Sequence, residues 1–197
     1  MVQLERLAAD DIERHLGALA ALRIAVFREY PYLYDGTLAY EERYVRGFAG
    51  SPASTLIVAR DGERVVGAST AMPLTAHGDT DVMVPALARA GYTAERVYYF
   101  GESVLLAAYR GQGIGHRFFD LREDAAREHG FRVAAFCAVE RGEDDPRRPP
   151  DYVPHDAFWT KRGYVRQPEA VAHFRWTDVG ERDESQKPMV FWTKELA

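Results

Sequence analysis

Three glycines in five positions, Gly111, Gly113 and Gly115, follow Arg110. An apolar run over 97–106 precedes them, and an apolar stripe at helical spacing, Ile114, Phe118, Leu121 and Ala125, follows. A strand, closely spaced glycines and then a helix present free backbone N–H groups to an anion. The helix dipole adds partial positive charge at the same point, and Arg110 adds a full charge. Phosphate binding is the chemistry that suits such a turn. A tight turn needing glycine only for its dihedrals is the plainer reading, yet three glycines exceed what a turn usually needs. Two common phosphate patterns fail. A P-loop carries Lys and then Ser or Thr after its last glycine, and here His116 and Arg117 follow Gly115. A dinucleotide fingerprint is spaced G-x-G-x-x-G, and here the spacing is G-x-G-x-G. What remains is R-x-x-G-x-G: Arg110, Gly113 and Gly115.

Other residues invite a chemical reading less strongly. Glu102 is a lone carboxylate in the apolar 97–106 run, beside Gly101. A glycine inside a strand marks a bulge or a close backbone approach. Cys137 is the chain's one cysteine and sits in a second apolar run, 131–139. It reads as a small buried hydrophobe, and no intramolecular disulfide can form. The six histidines show no metal spacing.

These residues need a scaffold, and the chain of 197 residues suggests one domain over 1–197. Hydrophobic residues at 47% and aromatics at 12% exclude disorder as the main state. The net charge of −5 argues against a nucleic-acid partner. No stretch reaches the ~20 apolar residues of a membrane span, and residues 1–17 lack the pattern of a signal peptide. The expectation is a cytoplasmic protein with no membrane partner. Residues 1–7 alternate as a first strand, and Asp10 and Asp11 suit an N-cap for a helix running to about Tyr30. A second helix is expected over about 37–48. A hairpin follows, with strands over 54–60 and 63–72 around Asp61-Gly62. A short helix over 81–89, a strand over 97–106, a helix from Ile114 stopped by Gly130, and a strand over 131–139 come next. A loop over 140–155, acidic and then proline-rich, leads to a short helix over 156–162 and two strands, 172–177 and 188–194. Hairpins mixed with one strand–helix–strand crossover predict an α/β (α+β) fold with a mixed sheet.

The stretch 104–115, VLLAAYRGQGIG, and the later Phe158-Trp-Thr-Lys-Arg-Gly-Tyr164 together resemble the GNAT superfamily of N-acetyltransferases. The resemblance runs over most of the chain, and its most specific part is 104–115. It implies a central mixed sheet of about seven strands flanked by about four helices. It also implies acetyl-CoA as co-substrate, with no metal. Acyl-CoA would lie where two parallel strands, 97–106 and 131–139, splay apart. The backbone of Val104, Leu105 and Leu106 would meet the pantetheine arm. Arg110 with the backbone of Gly111, Gln112, Gly113, Ile114 and Gly115 would hold the pyrophosphate. The implied reaction is direct attack of an amine on the thioester. A lysine-like amine, with a pKa near ~10.4, must lose a proton first. Glu102 is the first candidate base and acceptor contact, since a carboxylate in apolar surroundings is a better base. Its alternative is to point to solvent or to pair with an arginine in the substrate loop, and Glu140 is a second candidate in an acidic loop that reads first as solvated surface. Many relatives place a tyrosine as general acid where this chain has Trp159, whose indole N–H does not shuttle protons. Tyr152 or His155, or solvent, would then serve.

The acceptor wall would come from the first two helices and their loop, through Arg23, Phe27, Tyr30, Tyr32 and Tyr34. Core packing is the favoured reading of Phe27. Arg23 points to an acceptor carboxylate, whereas acidic residues over 140–145 point to a polyamine or aminoglycoside. The leading reading is transfer of an acetyl group to a primary amine of a small molecule. A catalytically weak acyl-CoA-binding sensor and a protein lysine or N-terminal acetyltransferase are the rivals. The resemblance allows a homodimer, and no feature of the sequence requires one.

Overall fold

The computed structural model describes residues 1–7 and 9–197. The chain runs β1 (Gln3–Leu7), α1 (Ala9–Phe27), α2 (Leu38–Ala49), β2 (Thr55–Asp61), β3 (Arg64–Pro73), α3 (Thr80–Arg89), β4 (Val97–Leu105), α4 (Ile114–Glu128), β5 (Val133–Val139), α5 (Asp156–Lys161), β6 (Val165–Thr177) and β7 (Glu184–Glu195). The seven strands form one mixed sheet in the order β1-β2-β3-β4-β5-β7-β6. That is the expected seven-stranded mixed sheet with its flanking helices.

Both faces of the sheet are covered, which explains why β2 reads as an unbroken apolar run. Leu56 and Val58 of β2 pack with Ile12, Leu16, Leu19 and Val45 of α1 and α2. The alternate residues Ile57 and Ala59 pack with Ile114 and Phe118 of α4. Farther along the sheet, α3 covers the first face through Met83 and Leu87 against Tyr99, Ala135 and Cys137. On the second face Phe100, Phe119, Phe136 and Tyr164 gather beneath α4, with Phe158 and Trp159 of α5 at the edge.

Several boundaries differ from the sequence expectation, and strand β7, for one, begins at Glu184 rather than at 188. Helix α1 begins at Ala9, so Asp10 and Asp11 fall inside it; the Asp10 side chain lies outside the described residues, and Asp11 pairs with Arg14 at 2.8 Å. The helix ends at Phe27 rather than near Tyr30. There the chain turns back, the Tyr34 N–H donating to the Phe27 carbonyl at 2.8 Å, which lets Tyr34 bridge to Asp178. Strand β6 starts at Val165, not at 172. Pro168 removes a ladder donor, and the sheet absorbs it with a register shift between Gln167 and Val171. No described helix is long and apolar enough to cross a membrane.

Candidate active site

Strands β4 and β5 run parallel but pair over three positions only: Val97↔Val133, Tyr98↔Ala134 and Tyr99↔Ala135. Past these, β4 stays with β3 and β5 stays with β7, so a wedge opens between Phe100 and Phe136. The cause lies in β4. Its register with β3 passes from Ser69↔Ser103 to Ala71↔Phe100, leaving Gly101 and Glu102 opposite Thr70 alone. This extra residue is a β-bulge, which bends its strand. Only glycine fits there: a Cβ on Gly101 would lie 2.6 Å from Thr70 Oγ1 and 3.3 Å from the Tyr44 hydroxyl. The Glu102 N–H donates to Thr70 Oγ1 at 3.3 Å. In a regular strand residues two apart share a face. The bulge instead sends Phe100 toward α4 and Glu102 toward α1 and α2.

A cleft of about 550 Å³ passes through this wedge. On the α4 side it is walled by the glycine turn, Phe119, Arg122 and Trp159, and on the α1 side by Phe27, Tyr30, Tyr32 and Glu102. Gly111 and Gly113 sit at φ +75° and +78°, and a Cβ on either would meet nothing within 4 Å. Gly113 caps α4 with no side-chain hydrogen bond, so the first-turn N–H groups have no cap of their own. Open donors beside glycines whose missing side chains leave room fit a pyrophosphate. The Arg110 Nε donates to the Leu105 carbonyl at 3.1 Å, and its other end meets Glu29 at 2.8 Å across the mouth of the cleft. Gly111, Gly113 and Gly115 line the cleft with Arg110 and Leu105. Val104 and Ile114 turn their side chains into the core and offer only backbone. Gln112 is exposed and donates to the Ala108 carbonyl at 3.3 Å.

Glu102 is buried on the α1 side of the cleft, and its carboxylate has partners. Arg23 Nη1 lies 2.7 Å from Glu102 Oε2, and the Tyr44 hydroxyl donates to the same oxygen at 3.2 Å. The other side of the Arg23 guanidinium donates to Glu41. Arg23 also lies 4.0 Å above the Tyr44 ring. Two carboxylates thus share one arginine in a buried cluster, and the coulombic pull of Glu102 and Glu41 raises the arginine pKa despite its burial. The sequence reading of Arg23 as a receptor for an acceptor carboxylate does not match this geometry. Arg23 is not among the residues lining the cleft, and the carboxylates it binds are the protein's own. Tyr34 likewise sits away from the cleft, against Glu41.

Two of the acidic residues after β5 are also internally engaged. Glu140 pairs with Arg166 and Asp145 with Arg147, so neither is free for a polycation. The residue that matters there is Arg141. It donates to the Pro31 and Tyr32 carbonyls at 2.8 Å each and to Asp178 at 2.9 Å. It therefore pins the 30–34 loop over the α1 side of the cleft. Tyr152 stacks edge-on against Tyr30, with ring centroids 4.7 Å apart. Burial raises the Tyr152 pKa, so its phenol keeps its proton at neutral pH. Burial and the nearby Arg110 lower the His155 pKa, so its imidazole is neutral there. Burial pushes the Cys137 thiol up to about 12, which excludes it as a nucleophile at neutral pH.

Sequence reasoning missed Arg122 entirely. It occupies one turn of an amphipathic helix among other charged residues, a pattern that reads as a solvated face. In the fold its side chain is fully buried. Nη1 donates to the carbonyls of Glu102 at 3.2 Å and Thr70 at 3.5 Å, across the bulge. Nε donates to the Phe118 carbonyl at 3.3 Å. The guanidinium lies 4.3 Å from the Phe100 ring centre and 4.6 Å from that of Phe119.

Residues 19–148 match the acetyltransferase (GNAT) family. No curated protein matches the chain. Among solved structures, an N-acetyltransferase from Staphylococcus aureus is 12% identical with a TM-score of 0.60, covering 100% of this chain and 99% of its own. A ribosomal-protein-alanine N-acetyltransferase from Brucella melitensis is 13% identical, with a TM-score of 0.61 over 98% of this chain and 99% of its own. An aminoglycoside 6'-N-acetyltransferase complexed with coenzyme A is 13% identical, with a TM-score of 0.62 over 99% of this chain and 97% of its own. At these identities the likeness is one of fold.

Proposed function

Because this chain belongs to the acetyltransferase (GNAT) family, we propose that it moves an acetyl group from acetyl-CoA to a primary amine of a small molecule by direct attack, with residues 1–197 acting as one domain. The observation that carries the reading is the cleft itself. It joins an uncapped, glycine-rich helix start on one side of the sheet to a buried carboxylate on the other. Acetyl-CoA supplies the activated acetyl group. Arg110 and the backbone from Gly111 to Gly115 hold its pyrophosphate, and the backbone of Val104, Leu105 and Leu106 orients its arm.

The acceptor enters from the α1 side, between Tyr30, Tyr32 and Glu102. Glu102 takes the ammonium proton, directly or through water. Tyr152 offers a hydroxyl that stays protonated and can hydrogen-bond the sulfur. The roof formed by the 30–34 loop, held by Arg141, favours a compact acceptor over a peptide. Arg23 contributes indirectly, by fixing Glu102.

Calorimetric titration of acetyl-CoA and CoA into wild type, Gly113→Glu and Glu102→Gln tests the reading. Wild type and Glu102→Gln should bind, and Gly113→Glu should not, because its side chain would fill the phosphate cradle. A screen of small amines for thiol release then follows, with Glu102→Gln slowed by about 10²–10⁴-fold. Absence of binding by wild type at millimolar ligand sinks the reading.

A further inference from the structure

Among the described residues, Arg122 is a fully buried cation that the reaction outlined above leaves without a role. It lines the cleft where the sheet splits, and among the described residues no carboxylate pairs with it. The charged and titratable groups facing it are Glu102 of β4, Glu123 of its own helix, Arg162 after α5 and Tyr164 before β6. Glu102 is engaged by Arg23 at 2.7 Å. Glu123 is engaged by Arg162 at 3.1 Å and Lys194 at 2.8 Å, and accepts from the Tyr164 hydroxyl at 3.2 Å. Arg122 is left with three backbone carbonyls, and Nη2 has no acceptor among the described residues. Burial lowers its pKa to about 10, so it stays charged at neutral pH.

The wedge therefore has an electrical polarity. Glu102 faces the acceptor on the α1 side, and Arg122 lies across the bulge on the α4 side. The leaving sulfur needs such a charge. Trp159 occupies the edge of the cleft and has no proton to give. Tyr152 holds its proton above the ordinary phenol value of about 10, whereas a thiol titrates near about 8.5. Full proton transfer from Tyr152 to a thiolate is thus uphill.

We propose that Arg122 is the fixed positive charge that stabilises the departing CoA thiolate, so that the sulfur leaves as an anion without a general acid. The inference rests on the acetyl-CoA reading above. In that step the amine nitrogen forms the C–N bond and the C–S bond breaks. The sulfur carries off the electron pair as thiolate, and the nitrogen, whose ammonium proton has already gone to Glu102, gives its second proton to water. The thiolate takes a proton from solvent after release.

The test is the acidity of the CoA thiol when bound, read from the ultraviolet absorbance of the thiolate across a pH series. Bound to wild type, it should titrate about 1–2 units below free CoA, as expected for an opposite charge at close range. In Arg122→Met the shift should vanish, and kcat should fall about 10–100-fold with little change in the KM for acetyl-CoA. Arg122→Lys, which keeps the charge, should restore part of both. A bound thiol no more acidic than free CoA in wild type overturns the proposal, whether or not the variants fold. The same holds for equal shifts in wild type and Arg122→Met. Failure of wild type to bind CoA at all overturns the acetyltransferase reading together with it, so the two failures are distinct.

Discussion

The buried cluster of Arg23, Glu41 and Glu102 makes a sharp prediction because its charges do not cancel. One guanidinium serves two carboxylates, and all three side chains are nearly inaccessible to water. Arg23→Met would leave two buried carboxylates without a cation. Removing one partner of a buried ion pair costs about 3–5 kcal/mol. For a chain of this length that is a fall in Tm of roughly 6–20 °C. Glu102→Gln acts oppositely on the charge, leaving a neutral Arg23–Glu41 pair and an amide that still accepts from Tyr44. Its stability should stay within about 1 kcal/mol of wild type. The two changes should also couple. In the double variant one carboxylate, not two, is left without a cation, so adding Glu102→Gln to Arg23→Met should raise Tm. Thermal unfolding by circular dichroism on the four proteins, with thiol-release activity in parallel, gives the answer. Glu102→Gln should be folded and slow, and Arg23→Met should be unstable first. The charge argument is refuted if Arg23→Met costs no more than Glu102→Gln. It is refuted equally if the second change lowers the stability of the first further.

Three further outcomes follow from the geometry. Gly101→Ala places a methyl 2.6 Å from Thr70 Oγ1; it should cost about 1–3 kcal/mol by overpacking and lower activity by shifting the bulge, checked by urea unfolding and initial rates. His77 is buried, with its pKa lowered by that burial, so the unfolded chain binds the proton first, and stability should fall as pH drops below about 6.5; urea midpoints in a pH series should show a shallower fall in His77→Gln. Cys137, its thiol pushed up to about 12 and bonded to the Tyr99 hydroxyl at 3.2 Å, should resist alkylation at pH near 8 in the folded protein and react once it is denatured; rapid modification of the native state would contradict its burial.

Much of the scaffold is legible in the sequence because its signals are local. The turn at Asp61-Gly62, the glycines at 111, 113 and 115, and the apolar runs of β4 and β5 each carry their structure within a few residues. Gly101 is readable as a bulge for the same reason, since a glycine weakens a strand interior and marks a bend or a close approach where it stands there. Half of strand β6 is hidden because Pro168 disguises its first part, and only pairing with β7 keeps that part extended. The charged residues are the least legible. Arg23 reads as a substrate contact, while nothing in the sequence singles out Arg122 or Arg141. A charged side chain does not announce its partner, because the partner is distant in sequence: Arg23 and Glu102, or Arg141 and Asp178.

The amino-acid sequence by itself determined most of the strands and helices, where glycine-rich backbone opens a helix, and which family the chain resembles. These follow from periodicity, glycine dihedrals and short spacings, all of them properties of neighbouring residues. The tertiary structure alone decided how charge is laid out around the wedge. The bulge turns Glu102 to the face opposite Phe100, α1 and α2 supply Arg23 and Glu41 to meet it, and α4 brings Arg122 beneath the split from the other side. Electrostatic pairing depends on distance in space and on exclusion of water, and neither exists until the sheet and its helices have closed together.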